Sequence, residues 1–222
     1  MKKTVLTSLL MAGLVGILIY LGWLRNNNNH DALLMNTTAT NTPKRTSSAD
    51  WTSDAITIEE LVSESDLVVL VRVSGSPVTR VVPIYPLDQQ GNRIESAAFP
   101  VLFSDTTFDV LKTYLGTSVQ TVTVMQTGGY DPTVSKGVEE MSDDPLYKIG
   151  EEYILFLVNI SGDPIHAPDR DLYIIVNTFG RYRLTGGHVS TYGQNPLRSV
   201  QLPMKFIDLE TQIEQAKQSS GK

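Results

Sequence analysis

An uncharged stretch near the N-terminus constrains this chain more than any other feature of its sequence. Residues 5–24 carry no charged side chain, and a helix of that length would span about 30 Å, the thickness of the hydrocarbon core of a bilayer. Lys2 and Lys3 precede the stretch, whereas Arg25 is the basic residue that directly follows it. Because positive charge is retained on the cytoplasmic side of a membrane, we expect the N-terminus inside and the rest of the chain outside.

The alternative is a cleaved signal peptide, whose apolar region usually covers about 7–15 residues and ends at small side chains. Here the apolar stretch is longer and ends at Trp23, Leu24 and Arg25, with no small-x-small pattern at its exit. We therefore predict that residues 1–25 form an uncleaved anchor of a single-pass membrane protein. Secretion after signal cleavage is the alternative.

Composition divides the rest of the chain into a linker and one domain. Residues 26–53 are rich in Asn, Thr and Ser, which predicts a flexible stalk. Residues 54–222 suffice for one domain, and a chain with 41% hydrophobic residues can build a core. The chain contains no cysteine, so the core must stabilise the fold without disulfides. An exported domain without cysteine favours a bacterial envelope over a eukaryotic secretory route.

The charge of the exported part argues against nucleic acid as a partner. Three of the 18 basic residues lie in the anchor segment, which leaves 15 basic against 24 acidic residues and a net charge of −9. Nucleic-acid-binding proteins neutralise phosphates with clustered Lys and Arg, and this chain has no such run. We therefore predict no nucleic-acid partner. Besides the membrane itself, we expect the exported domain to contact a protein or a cell-envelope glycan.

Short apolar runs separated by turn residues predict a mainly β domain. The predicted strands cover residues 67–73, 106–114, 119–126, 153–158, 172–177 and a short segment at 181–184. Thr57 and Glu60 have the spacing of a capping box in front of a short helix. Leu209, Ile213 and Ala216 recur at helical spacing and predict a C-terminal helix. The expected fold is a small antiparallel OB-like barrel of five or six strands with these two helices, behind the transmembrane helix.

The segments between the predicted strands indicate turns and loops. Residues 78–104 contain three prolines and predict a long insertion that forms an extended arm or a mobile hairpin. Residues 130–149 predict an acidic loop. The pairs Gly128-Gly129 and Gly186-Gly187 predict turns, since neither is followed by the Lys and helix of a phosphate-binding loop.

The order of these elements resembles a known family. The resemblance lies in residues 65–73, 107–116, 119–124 and 148–156, the last with the element Gly150-Glu151-x-Tyr153. It is similar to the OB-barrel module of tissue inhibitors of metalloproteinases and of netrin-like domains, including bacterial extracytoplasmic versions, and covers residues 57–185. The resemblance implies the barrel fold. Those inhibitors bind the protease zinc through a free N-terminal cysteine, which this chain lacks, so no functional residue is carried over.

Two acidic clusters contain residue types that can bind a metal ion. Asp163, His166, Asp169 and Asp171 alternate along one segment, and oxygen ligands at such spacing suit Ca²⁺ in principle. The segment lacks the EF-hand arrangement and contains two prolines, so we interpret it as a solvated hairpin loop. The second cluster is a charge run that is interpreted in the same way and consists of Glu139, Glu140, Asp143 and Asp144. We predict no metal or cofactor site.

No catalytic motif is visible in the chain. Its three histidines are His30, His166 and His188, and no Gly-x-Ser-x-Gly motif accompanies them. Because a triad can assemble from distant residues, a hydrolase that uses His166 or His188 stays an alternative. His188 with Ser190 is interpreted as a surface pair, and no catalytic residue is predicted.

Tyrosines could supply a binding face, since OB barrels use aromatic side chains to contact sugars or strands. Four of them fall in predicted loops, where a side chain can be exposed: Tyr85, Tyr130, Tyr147 and Tyr192. For the tyrosines as a group, packing in the core or at the rim is favoured over a ligand site, since amphipathic rings serve both uses. Three are expected to pack in or against the barrel: Tyr114, Tyr153 and Tyr173. The sequence thus predicts a membrane-anchored extracytoplasmic binding module without catalytic activity. The alternatives are a regulator of an extracellular protease, acting through a cysteine-independent surface, and an envelope hydrolase.

Overall fold

A computed structural model of the protein describes residues 44–47, 53–131, 137–141, 144–192 and 203–221. The predicted anchor at 1–25 and most of the predicted stalk lie outside the described residues. Within those ranges, no helix has the length and apolar character needed to cross a bilayer.

The described residues form eleven strands and two α-helices. The strands are β1 (Lys44–Ser47), β2 (Leu67–Val73), β3 (Val78–Ile84), β4 (Phe99–Leu115), β5 (Thr121–Asp131), β6 (Gly137–Met141), β7 (Glu152–Asn159), β8 (Tyr173–Ile175), β9 (Arg181–Thr185), β10 (His188–Ser190) and β11 (Met204–Lys205). The helices are α1 (Ile58–Glu64) and α2 (Phe206–Ser220). The mainly β fold and the C-terminal helix are confirmed.

Five of the strands close a barrel. β2 pairs antiparallel with β4 and β7, and β4 pairs antiparallel with β5. β8 closes the ring, antiparallel to β7 and parallel to β5 through the pair Val124 and Tyr173. Alternate apolar side chains of these strands form the interior and include Val69, Val71, Phe108, Val122, Leu155 and Leu157.

The two helices cover the outer face of the barrel. Thr57 Oγ1 accepts a hydrogen bond from Glu60 N–H at 3.1 Å and the Glu60 carboxylate accepts one from Thr57 N–H at 3.0 Å, which confirms the capping box. In α2 the side chains of Leu209, Ile213 and Ala216 are buried, as predicted. They share a core cluster with Val68 of β2 and with outward-facing residues of β7. Because β7 is buried on both faces, its sequence is a continuous apolar run.

The predicted insertion is a β-hairpin that continues a barrel strand. β3 pairs antiparallel with the first part of β4, from Val78 opposite Asp105 to Ile84 opposite Phe99. β4 is 17 residues long and begins seven residues before the predicted strand at 106–114. Residues 85–98 connect the two strands. The hairpin is therefore anchored in the same strand that forms the barrel wall.

The Gly128-Gly129 pair lies inside β5, so the predicted turn is wrong. At these glycines φ is +104° and +154°, and β5 leaves β4 after Thr127 to pair with β6. β6 lies in the segment predicted as a loop, and β1, within the predicted stalk, pairs parallel with it. The prediction is confirmed at Gly186-Gly187, where both φ values are positive in the tight turn between β9 and β10.

Candidate functional site

The β3–β4 hairpin and the loop at residues 160–172, which joins β7 to β8, meet beside the barrel. Their apolar side chains form a separate cluster that contains Val82, Ile84, Val101 and Phe103 from the hairpin and Ala167 and Leu172 from the loop. We name this contact region the hairpin–loop junction. It brings together two segments that are far apart in the sequence.

Asp105 lies at the centre of the hairpin–loop junction and binds two arginines. Its Oδ2 accepts from Arg80 Nε of β3 at 2.8 Å and from Arg170 Nη1 of the loop at 2.8 Å. Asp105 is 7% exposed, and its Oδ1 is buried without a hydrogen-bond partner among the described residues. The Arg80 guanidinium also lies 5.8 Å from the centroid of the Phe103 ring. One buried carboxylate thus connects hairpin and loop.

His166 contributes a second polar contact to the junction, and the prediction that its segment is a solvated turn is wrong for this side chain. His166 is 8% exposed, and its ring meets Phe103 edge-on with centroids 5.2 Å apart. Its Nδ1 lies 3.0 Å from Asp163 Oδ1, which also accepts from the backbone N–H groups of Ile165 and His166. The other two predicted ligands, Asp169 and Asp171, are exposed. The described residues contain no group of three or more His, Cys, Asp or Glu side chains placed to bind a metal.

The environment of the Asp163–His166 pair shifts both protonation equilibria. Burial lowers the pKa of His166 below its ordinary value of 6.5, and the nearby Asp163 carboxylate offsets only part of that effect. Partial burial would raise the pKa of Asp163, but the backbone N–H donors and the His166 ring outweigh it and the pKa is lowered. At neutral pH the pair is therefore a carboxylate that accepts from a neutral imidazole.

A second polar cluster surrounds Arg181, which is 1% exposed beside the barrel core. Its guanidinium carbon lies 3.8, 4.7 and 4.6 Å from the ring centroids of Tyr147, Tyr153 and Tyr192. Nη1 donates to Asp144 Oδ1 at 2.7 Å and to the Pro145 carbonyl at 2.5 Å, and Nη2 donates to the Tyr153 hydroxyl at 3.1 Å. The cation is thus enclosed by three aromatic rings and one carboxylate.

One prediction is corrected by this cluster: Asp144 belongs to a run predicted to be solvated, but it is 1% exposed. Tyr147, in a predicted loop where exposure was open, is 2% exposed. Burial would lower the pKa of Arg181, but Tyr147, Asp144 and Tyr153 outweigh it, so the guanidinium stays charged. Burial raises the pKa of Tyr147 and of Tyr153, so both phenols stay protonated. The Arg181 cluster is a buried structural unit in which the charge is paired, although Arg181 Nε and the Tyr147 hydroxyl have no hydrogen-bond partner among the described residues.

The remaining predicted residues are dispersed. His188 and Ser190 are exposed. His188 Nδ1 lies 3.2 Å from the Gly186 carbonyl, so the β9–β10 turn supplies a hydrogen-bond partner for this ring nitrogen. Tyr114 and Tyr153 are buried and Tyr130 is 49% exposed, as predicted. The side chains of Tyr85, Tyr173 and Tyr192 are half-buried. Glu139 and Glu140 belong to β6, whereas His30 and Asp143 lie outside the described residues.

The outer strand of the hairpin carries exposed apolar side chains. Val78 is 68% and Val81 is 56% exposed. Tyr130, on the bent end of β5, lies near them because its N–H donates to Thr79 Oγ1 at 2.9 Å. Within the described part of the chain, β4 is the one strand that pairs with β3. The second edge of β3 is therefore open there.

Comparison with protein-family models, with curated proteins and with solved structures finds no match to this chain. The resemblance to the inhibitor and netrin-like module stays a prediction. Function is therefore inferred from the chain's own residues.

Proposed function

We propose that the protein is a membrane-anchored, extracytoplasmic binding module with an OB-like barrel, which binds a protein ligand at the hairpin–loop junction without catalysing a reaction. The observation that carries the proposal is the Asp105 carboxylate, which positions Arg80 of the hairpin and Arg170 of the loop side by side. The membrane position rests on the apolar stretch at residues 5–24.

The arrangement of strands supports the OB-like assignment. Five strands close the barrel, and β8 completes it between β5 and β7. OB folds bind their ligands on the face of the second and third strands and with the loops that follow the first and fourth. Here β4 and β5 correspond to the second and third barrel strands. Residues 74–98, which include β3, follow the first barrel strand, and residues 160–172 follow the fourth. These segments are the ones that Asp105 connects.

The chemistry of the hairpin–loop junction favours a protein over a glycan. The Arg170 side chain is 42% exposed and uses one N–H group for Asp105 and one for the His166 carbonyl at 3.5 Å. A guanidinium has five N–H donors, so donors remain for a carboxylate of an Asp, a Glu or a chain end. Arg and Tyr are enriched in protein interfaces, whereas sugar binding relies on exposed rings. In the described part of the chain, Tyr130 is the one aromatic side chain among the exposed large hydrophobic residues. An extracellular protease would be one such protein ligand.

The envelope hydrolase is the second candidate, and the Asp163–His166 pair is the observation that favours it. A carboxylate that accepts from the Nδ1–H of a histidine is the arrangement that orients a general base. On this alternative, His166→Gln would abolish a hydrolytic activity of the protein. On the proposed function, the wild-type protein has no hydrolytic activity, so the variant has none to lose.

The proposal is tested by capture of the tagged full-length protein from cross-linked cells of its source. Arg170→Ala is compared with wild type, and Arg72→Ala is the matched control, because Arg72 is also an exposed arginine paired to a carboxylate, Glu152, at 2.6 Å. We expect one dominant protein with wild type and with Arg72→Ala, and a yield at least about tenfold lower with Arg170→Ala, because an interface charge pair contributes more than about 1.4 kcal/mol. Equal yields from all three forms would contradict this site.

A further inference from the structure

β3 has one edge that no described strand covers. It pairs with β4 along its whole length from Val78 to Ile84, and within the described ranges no strand pairs with its other side. An uncovered edge of this kind presents backbone N–H and C=O groups to whatever strand approaches it.

The two prolines of the hairpin determine which backbone groups face the open edge. Pro83 lies opposite Pro100, and neither residue has an N–H, so this is a pair without mutual hydrogen bonds. Because the register from Val78 to Ile84 has no irregularity, the pairs at Thr79 and Val81 are of the same kind. Antiparallel strands alternate between the two kinds of pair, so the backbone groups of Thr79, Val81 and Pro83 point away from β4.

We propose that this edge pairs with the same edge of a second copy of the chain, antiparallel and with the twofold axis at Val81. In that register Val81 exchanges two hydrogen bonds with Val81 of the second copy. Thr79 N–H lies opposite the Pro83 carbonyl of the other copy, which gives one more bond on each side of the axis. Because Pro83 has no N–H, each Thr79–Pro83 pair gives one hydrogen bond instead of two, so the pairing contains four hydrogen bonds and does not extend beyond β3.

Charge and side-chain size fit the same register. Arg80, the one charged residue of β3, lies opposite Val82 of the second copy and is already neutralised by Asp105 at 2.8 Å. Like charges directly opposite each other would destabilise a pair of strands, and this register places none opposite each other. The exposed Val78 lies opposite Ile84 of the other copy, and the exposed Val81 meets its own counterpart. The edge is therefore complementary to itself, as a twofold interface requires.

This pairing goes beyond the proposed function, and its test is independent of any ligand. The chain has no cysteine, so a single introduced cysteine reports a single contact. In the proposed register the two Cα atoms at position 81 are about 5.5 Å apart, which lies within the range of a disulfide. Position 78 is more exposed, but its two copies are about 20 Å apart along the strands.

The experiment compares oxidative cross-linking of full-length Val81→Cys, Val78→Cys and Leu111→Cys in detergent or lipid vesicles. Leu111 is an exposed residue of the barrel strand β4, 45% accessible, and controls for random collision and for association through the membrane segment. We expect Val81→Cys to form a dimer at least about tenfold faster than the other two, because position 81 alone meets the geometry of a disulfide. Equal rates, or no dimer of Val81→Cys, would overturn the proposal.

A second measurement uses charge instead of a cross-link. Val81→Lys places two lysines opposite each other at the axis, and Leu111→Lys adds the same charge elsewhere. We expect the mass of full-length Val81→Lys in light scattering to fall to that of a monomer, with Leu111→Lys unchanged from wild type. A dimer that persists in Val81→Lys, or a monomeric wild type at every concentration, would overturn the pairing.

Discussion

Arg181 carries its charge in a place from which water is excluded. The loss of hydration is offset by Asp144 at 2.7 Å, by carbonyl and hydroxyl acceptors and by the faces of three tyrosines. Such a buried pair adds little net stability over an apolar pair of the same size, but removal of one partner leaves an uncompensated charge. The Arg181 cluster therefore makes the fold sensitive to any single change within it.

Asp144→Ala tests this account of the Arg181 cluster. We expect the free energy of unfolding to fall by about 3–5 kcal/mol, because the Arg181 charge stays buried without its carboxylate. The control is Glu152→Ala, which removes an exposed Arg72 pair of similar length, 2.6 Å, and should cost less than about 1 kcal/mol. Denaturant titration of both variants measures the difference. Similar losses in the two variants would contradict the structural role of the cluster.

The His166 imidazole predicts a pH dependence of stability. Burial lowers the pKa of His166 below 6.5, so between the folded and unfolded pKa values the unfolded chain binds more protons. The free energy of unfolding should therefore fall as the pH is lowered from about 7 through 6.5. His166→Gln should flatten this slope, as measured by denaturant titration at several pH values. An unchanged slope in the variant would show that His166 does not titrate in this way.

At the scale of elements, the bend of β5 positions the hairpin against the rest of the sheet. A Cβ added at Gly129 would lie 2.5 Å from both Ser104 Oγ and Thr79 Oγ1, and its φ of +154° is unfavourable for other residues. The close approach allows Ser104 Oγ to donate to the Gly128 carbonyl at 2.9 Å. The glycine is thus required by the crossing of β5 over the β3–β4 pair.

Gly129→Ala should destabilise the protein by roughly 1–3 kcal/mol, because a methyl group must displace side chains and strain the backbone. Gly75→Ala is the control, since its Cβ would make ordinary contact with Thr107 at 3.5 Å. Thermal unfolding of the two variants provides the comparison. A loss at Gly75 as large as that at Gly129 would argue against the close crossing.

The elements with a strong local pattern are the ones that could be predicted. β2 was placed at 67–73, the bounds that the structure has, because its apolar run is nearly continuous and ends at turn residues. The first part of β4 was missed because Pro100 argues against a strand. The structure accommodates Pro100 opposite Pro83, where neither needs an N–H. The Gly128-Gly129 pair was misassigned as a turn because glycine at positive φ occurs both in turns and in bent strands.

At the scale of the whole molecule, the candidate sites depend on contacts that no local pattern indicates. Arg181 and Asp144 are 37 residues apart in sequence, and Arg80 and Asp105 are 25 apart. Strand pairing brings these residues together, so Asp144 and Tyr147, from segments predicted as loops, are buried. The features that the sequence placed residue by residue are local patterns: the capping box, the buried face of α2, the bounds of β2 and the Gly186-Gly187 turn.

The central claim is that the hairpin–loop junction binds a protein ligand. The most direct test places a photoreactive residue at position 170 of the full-length protein in its source cells, with the same residue at position 72 as control. We predict one discrete protein adduct from position 170 and none, or a diffuse background, from position 72. The same adduct pattern from both positions, or no adduct from position 170, would contradict the claim.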